Sequence, residues 1–218
     1  MKDNISIVEK YISIQGETTF AGRPAHFIRL GGCNLACKYC DTKFSNDFRN
    51  FKEVSIFELA NEISASLIKI AVITGGEPLL QKNTFPLMEM LLEKRITVIL
   101  ETNGSLPIQK VPGKVVKIID CKCPMSGEEQ KMKFANFTLL KGHDQVKFVI
   151  SGRKDYDYCK HIVDKYELYK KTENILLSPV ISRINPSSLA KWMIEDEFYG
   201  ILNLQLHRII WPGKRKGV

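Results

Sequence analysis

From Ile70 onward the chain alternates short, nearly continuous apolar runs with longer stretches whose apolar residues recur every three or four positions. The first kind reads as strands covered on both faces, the second as the helices that cover them. Ile70-Ala71-Val72-Ile73, Ile96 to Leu100, Val115 to Ile119, Gln145 to Ile150 and Ile175 to Leu177 are the predicted strands, with a last one from Ile201 to Leu206. Ile56, Leu59, Ala60, Ile63 and Leu67 predict a helix that opens on a capping box, Ser55 with Glu58 three residues on. Phe85 to Glu93 and Asp155 to Leu168 predict two more, and Lys133 to Lys141 a short one. Asn185 caps another, with Pro186 at its first position and Leu189, Trp192 and Met193 on its apolar side. Earlier in the chain, Ile5 to Val8 and His26 to Leu30 read as strands and Gln15-Gly16-Glu17 as a polar turn, while Lys43 to Glu53 has no clear period. Strands alternating with helices predict right-handed crossovers and a parallel sheet, in one α/β domain without repeats or linkers.

The polar, glycine-punctuated segments fall just after strand ends. They are the cysteine-bearing Gly31 to Thr42, Gly75-Gly76-Glu77-Pro78, Glu101-Thr102-Asn103-Gly104, Asp120-Cys121-Lys122-Cys123-Pro124 and Ser178-Pro179-Val180. That edge of an α/β sheet is where active sites form, so the pattern predicts an enzyme. Cys33, Cys37 and Cys40 stand in a C-x3-C-x2-C spacing with no fourth cysteine nearby. Three thiolates leave one iron of a four-iron cluster open, whereas a structural zinc site closes with four ligands. A zinc site completed by Cys121, Cys123 or a histidine stays open on spacing alone. Gly75-Gly76 lets the backbone approach a ligand closely, and Glu77 offers a carboxylate to an ammonium. Thr42 and Asp41 suit either a hard cation or a helix cap. Arg29 inside an apolar strand needs an acidic partner or an outward face.

Composition narrows the setting. Hydrophobic residues make up 44% and charged ones 26% of 218, an ordinary globular balance. No run has the length of a signal peptide or a membrane span, which predicts a cytoplasmic protein with no membrane partner. Six cysteines in a reducing compartment point to metal binding by the clustered three, and Cys121, Cys123 and Cys159 read as buried thiols. The net charge of +8 allows an anionic partner, but the densest basic run, Lys214-Arg215-Lys216, has no interleaved aromatic beyond Trp211, so nucleic acid is not expected.

The cysteine loop resembles that of the radical S-adenosylmethionine (SAM) superfamily, and G-G-E-P resembles the superfamily element that contacts the SAM amino group. Along nearly its whole length the chain resembles the 7-carboxy-7-deazaguanine synthases, radical SAM enzymes of deazapurine (queuosine) precursor biosynthesis. The residues are I-Q-G-E from Ile14, F-I-R-L-G-G-C-N-L-A-C-K-Y-C-D-T from Phe27, I-T-G-G-E-P-L-L-Q from Ile73, E-T-N-G from Glu101, K-F-V-I from Lys147, and L-Q-L-H from Leu204 with the W-P-G-K-R-K-G-V ending.

The resemblance implies a partial (β/α) barrel with a mostly parallel sheet, spanning 1–218 as one core domain with short terminal extensions. It implies conversion of 6-carboxy-5,6,7,8-tetrahydropterin to 7-carboxy-7-deazaguanine with loss of ammonia. A [4Fe–4S] cluster would sit on Cys33, Cys37 and Cys40, and Mg2+ on Thr42. SAM contacts would fall on Tyr39, Cys40, Asp41, Gly76, Glu77, Lys122, Cys123, Pro124, Ser178, Pro179 and Val180. Substrate contacts would fall on Ile14, Gln15, Gly16, Arg29 and Thr74, with His207 and the tail closing over the pterin. An external electron donor such as flavodoxin and a homodimer are implied in the same way. The chain departs from relatives in having Thr18 where glycine is usual, Tyr39 where tryptophan is frequent, and C-K-C-P in place of S-P-K. A glycyl-radical activating enzyme shares the cysteine loop, and a zinc- or cluster-bearing RNA-binding module is the rival from another class. Q-G-E, Arg29 and C-D-T together argue against the first.

Overall fold

The computed structural model describes residues 3–214 and 216–217. Arg215 and Val218 of the expected closing tail therefore lie outside the described residues. The elements in order are β1 (Asn4–Ile14), β2 (Pro24–Leu30), β3 (Lys52–Ser55), α1 (Ile56–Ala65), β4 (Ile70–Gly75), α2 (Thr84–Glu93), β5 (Thr97–Thr102), β6 (Val116–Cys121), β7 (Gln145–Ile150), α3 (Arg153–Lys165), β8 (Ile175–Pro179), α4 (Pro186–Glu195), β9 (Ile201–Leu202) and α5 (Leu206–Ile210).

All nine strands form one sheet in the order β3-β1-β2-β4-β5-β6-β7-β8-β9. From β2 to β9 every neighbour pairs in parallel. β1 runs antiparallel to both β2 and β3. That hairpin is invisible to the strand–helix alternation, because a turn rather than a crossover helix joins its strands.

The helices start where capping chemistry puts them. Ser55 Oγ accepts from the Glu58 amide at 3.5 Å to open α1, and Asn185 Oδ1 accepts from the Ser187 amide at 3.0 Å to open α4. Three sequence expectations are corrected. Leu67 lies beyond the end of α1 and is exposed. Lys133 to Lys141 forms only a 3-10 turn, Phe134–Leu139. The last strand stops at Leu202, and Leu206 opens a short helix instead.

Two apolar clusters hold the layers together. The larger joins one face of the sheet to the helices, with Ile28, Leu30, Ile73, Leu100, Ile119 and Phe148 against Leu59, Leu87, Leu91, Tyr156, Ile162 and Leu189. The smaller, Ala25, Phe27, Val72, Ile99, Val116 and Ile118, contains strand residues alone and lies on the opposite face. Side chains two residues apart on a strand share a face, so each strand extends this apolar floor toward its C-terminal end with a polar residue: Arg29 after Phe27, Thr74 after Val72, Glu101 after Ile99, and Asp120 after Ile118. Lys147 pairs with Asp120 across β6 and β7 and continues the polar layer.

The sheet is rolled around this layer. Gln15 to Thr19, at the turn between β1 and β2, reaches β5, β7 and the segment after β9: Gln15 Nε2 donates to Glu101, Gln145 Nε2 to Thr19, and the Thr18 amide to Asn203. A flat sheet in this strand order could not bring those residues together. The result is a partial barrel whose polar lumen opens beneath the cysteine loop that follows β2.

Candidate active site

Backbone geometry fixes the cysteine loop against the glycine turn after β4. The Glu77 amide donates to the Gly32 carbonyl at 2.8 Å, and the Gly76 amide to Leu30 at 3.2 Å. A Cβ on Gly76 would lie 2.0 Å from the Gly32 oxygen and 2.9 Å from Cys33 Cβ, so only glycine lets the two loops lie this close. Gly75, at φ 138°, would place a Cβ 2.2 Å from the Leu30 carbonyl oxygen.

All six cysteines are free thiols. Cys33 Sγ faces two donors, the Leu35 amide at 3.5 Å and Asn103 Nδ2 at 3.7 Å. Burial pushes the Cys37 thiol up, while the Lys122 ammonium opposes that shift. Cys40 Sγ lies 3.6 Å from Thr42 Oγ1. Thr42 occupies an N-cap position, yet its side chain makes no capping hydrogen bond. Among the described residues, no group of three His, Cys, Asp or Glu side chains converges as ligands of a single metal ion. The donor set here is three thiols on one short loop, which suits a cluster that spreads its thiolates over separate irons.

The lumen below carries charge of both signs. Arg29 Nε donates to Glu9 at 2.8 Å and Nη2 to the Tyr11 hydroxyl at 3.0 Å. Burial disfavours its charge, but Tyr11 and Glu9 outweigh it and the net shift is upward. Thr74 Oγ1 donates to Glu101 at 2.9 Å. Lys122 Nζ pairs with Asp120 Oδ2 at 3.0 Å, and Lys147 Nζ lies 3.7 Å from the same oxygen. Asp120 Oδ1 is buried with no hydrogen-bond partner, an acceptor that a ligand hydroxyl or amine would satisfy.

The C-terminal segment covers this lumen. The Leu206 amide donates to the Gly16 carbonyl at 2.9 Å, and a Cβ on Gly16 would meet His207 Nδ1 at 2.6 Å. Arg208 Nη2 lies 3.5 Å from Asp41 on the cysteine loop, and the Gly217 amide 3.3 Å from Glu9, the partner of Arg29. Burial lowers the His207 pKa.

Comparison with known proteins agrees with this geometry. The profile of the Radical SAM superfamily matches residues 27–124, from within β2 to just past β6. The 7-carboxy-7-deazaguanine synthase of Koribacter versatilis is 38% identical over 98% of this chain and 100% of its own length. Those of Chlorobaculum tepidum and Clostridium acetobutylicum are each 37% identical, over 98% and 99% of this chain and 97% and 100% of their own. The chain belongs to the 7-carboxy-7-deazaguanine synthase family. The crystal structure of QueE from Escherichia coli shares the fold, with a TM-score of 0.74 over 93% of this chain and 94% of that one at 22% identity.

Within this synthase chain, the expected site residues divide. Ile14, Gln15, Gly16, Arg29, Thr74 and His207 gather around the polar layer of the barrel, and Tyr39, Cys40, Asp41, Thr42 and Gly76 lie on the two loops at its mouth. The side chains of two expected residues are engaged by the protein itself. Glu77, expected to meet an ammonium, is fully buried. Its Oε1 already accepts from the Leu79 amide at 3.0 Å and Thr102 Oγ1 at 2.8 Å, and its Oε2 from the Asn103 amide at 2.7 Å. It braces the glycine turn against the end of β5. Cys123, expected among the cofactor contacts, has its side chain in the helix-side core with Cys121 and Cys159. Lys122, one residue earlier, is the side chain of that segment turned toward the lumen, while Ser178 Oγ is taken by Asn203 Nδ2 at 2.7 Å. Glu101 was missed. Its signal was present, an acid ending an apolar strand in E-T-N-G, two residues past the lumen-facing Ile99.

Proposed function

We propose that this chain converts 6-carboxy-5,6,7,8-tetrahydropterin to 7-carboxy-7-deazaguanine with release of ammonia. The observation that carries the reading is near-full-length identity of 37–38% to synthases of that name. When bound, a [4Fe–4S] cluster on Cys33, Cys37 and Cys40 together with SAM supplies the one-electron chemistry that starts the rearrangement.

The chain's own residues do the rest of the work by binding and orientation. The backbone around Gly75 and Gly76 brings a ligand at the cysteine loop close to the lumen. Arg29 presents a guanidinium to the substrate carboxylate, for which bidentate pairing is the strongest geometry available. Glu101 and Thr74 place an acceptor and a hydroxyl on the same layer. The Gln15-Gly16 backbone and His207 close the side facing the C-terminal segment, which excludes water from a reactive intermediate. Thr42 is the residue that would hold Mg2+, its hydroxyl unused as a helix cap and adjacent to the thiols. An external donor such as flavodoxin and a homodimer complete the reading and rest on the family resemblance. Among the described residues no helix is long and apolar enough to cross a membrane.

Reconstitution with iron and sulfide under anaerobic conditions, followed by incubation with SAM, reductant, Mg2+ and 6-carboxy-5,6,7,8-tetrahydropterin, tests the assignment. Cleavage of SAM with deazapurine formation supports it. Cleavage of SAM without any change in the pterin sinks the substrate while leaving the radical class in place.

A further inference from the structure

Two segments that meet over the lumen, Gln15–Thr19 and Asn203–His207, are distant in sequence and lie outside the strands. What holds them together is centred on a buried ion pair to which no role in the site has been assigned. Lys147, on the lumen face of β7, donates from Nζ to Glu17 Oε2 at 2.9 Å. The other oxygen of that carboxylate accepts from Gln205 Nε2 at 2.6 Å. Both charged side chains are only 12% exposed. Burial pushes the Glu17 carboxyl up, but Lys147 and the Gln205 hydrogen bond outweigh it and hold it below the usual range.

Backbone contacts flank the pair on each side. The Thr18 amide donates to Asn203 Oδ1 at 2.7 Å, and the Leu206 amide to the Gly16 carbonyl at 2.9 Å. Thr18 holds φ at 71°, the left-handed region that a β-branched residue rarely enters. The same turn places the Glu17 carboxylate against Lys147 and the Thr18 amide against Asn203. A strained turn persists only where its surroundings over-determine it, and here they do so at the substrate side of the lumen.

We propose that Lys147 and Glu17 are positioning residues for the substrate side of the site: Lys147 orients Glu17, Glu17 holds Gln205, and Gln205 seats His207 against Gly16. Neither charge touches the reacting molecule in this scheme. They act through the segment they fix. The proposal rests on the pterin reading for the identity of the substrate, but the fixing of the segment does not.

The test compares Gln205→Ala, Glu17→Gln and Lys147→Arg with the wild-type enzyme, by hydrogen exchange over residues 203–211 and by steady-state kinetics of the reconstituted protein. Gln205→Ala removes only the outer link, so it keeps the proposal testable if a charge variant folds poorly. The expected result for Gln205→Ala and Glu17→Gln is exchange about tenfold faster or more in 203–211, with β4 and β5 unchanged. KM for the pterin rises by about tenfold or more while kcat stays within about twofold, the signature of lost positioning rather than lost chemistry. Lys147→Arg, which keeps the charge, stays closer to wild type on both measures. Unchanged exchange in 203–211 overturns the proposal, and so does faster exchange with an unaltered KM. Failure of the pterin reading registers separately, as wild-type protein that protects these amides and makes no deazapurine.

Discussion

Glu77→Gln tests whether the glutamate of the glycine turn is a brace or a ligand group. The substitution keeps the side chain's shape and removes its charge. The carboxylate accepts three hydrogen bonds, two at Oε1 and one at Oε2. An amide has one oxygen, so in either orientation at least one buried donor faces an NH2 group, which costs about 1–3 kcal/mol. The bonds that survive lose charge assistance, about 1 kcal/mol between them. Relief of the burial that raises the Glu77 pKa offsets part of this. The net expectation is a destabilisation of about 2–3 kcal/mol. For a chain of this length about 1 kcal/mol moves Tm by 2–4 °C, so the midpoint should fall by roughly 4–12 °C. Differential scanning fluorimetry on protein without added SAM reads this directly. A shift under about 2 °C, with SAM affinity lost, would refute the reasoning and return Glu77 to the ammonium-binding role.

Three further outcomes are expected. Gly76→Ala should cost about 1–3 kcal/mol or more and reduce retained iron, since its Cβ would sit 2.0 Å from the Gly32 oxygen; iron content and Tm check it together, and wild-type iron loading would contradict the packing. Iodoacetamide applied to folded, iron-free protein should modify Cys33 and Cys40 and spare the fully buried Cys121, Cys123 and Cys159 until denaturant is added; peptide mapping reads this, and early labelling of the last three contradicts their place in the core. Glu17 has a lowered pKa, so the stability it contributes is present above the ordinary glutamate range and lost as pH falls through the folded-state value. Urea midpoints of iron-free wild type and Glu17→Gln should therefore converge on acidification, and parallel curves would count against the pair.

Most of the parallel architecture was legible because fully covered strands leave uninterrupted apolar runs and capped helices announce their first turns. Asn185 with Pro186 placed the start of α4 correctly, and Ile70 to Ile73 placed β4. The β1–β3 ribbon was harder, since Lys43 to Glu53 has no period and its edge strand is short. The tail was misread at Leu206 because an apolar pair before His207 fits a strand as well as a helical turn; the Gly16 carbonyl decides between them, and nothing local does. At the site, residue types were legible and directions were not. Glu77 and Cys123 sit in segments that line the mouth, but one carboxylate is consumed by neighbouring amides and one thiol points into the helix-side core. Glu101 and Lys147 were missed as site residues because their meaning comes from strand register, two positions along from an apolar floor that only the assembled sheet reveals.

If the polar layer beneath the three-thiol loop performs one reaction on one pterin, substrate and products must balance. The most direct measurement is the stoichiometry of 6-carboxy-5,6,7,8-tetrahydropterin consumed, 7-carboxy-7-deazaguanine formed and ammonia released by the reconstituted enzyme. Cys37→Ala and Arg29→Met serve as paired controls. Equal amounts of all three in wild type are predicted, with product abolished by the first variant and KM raised by the second. Pterin left intact beside a fully loaded cluster and cleaved SAM would contradict the account.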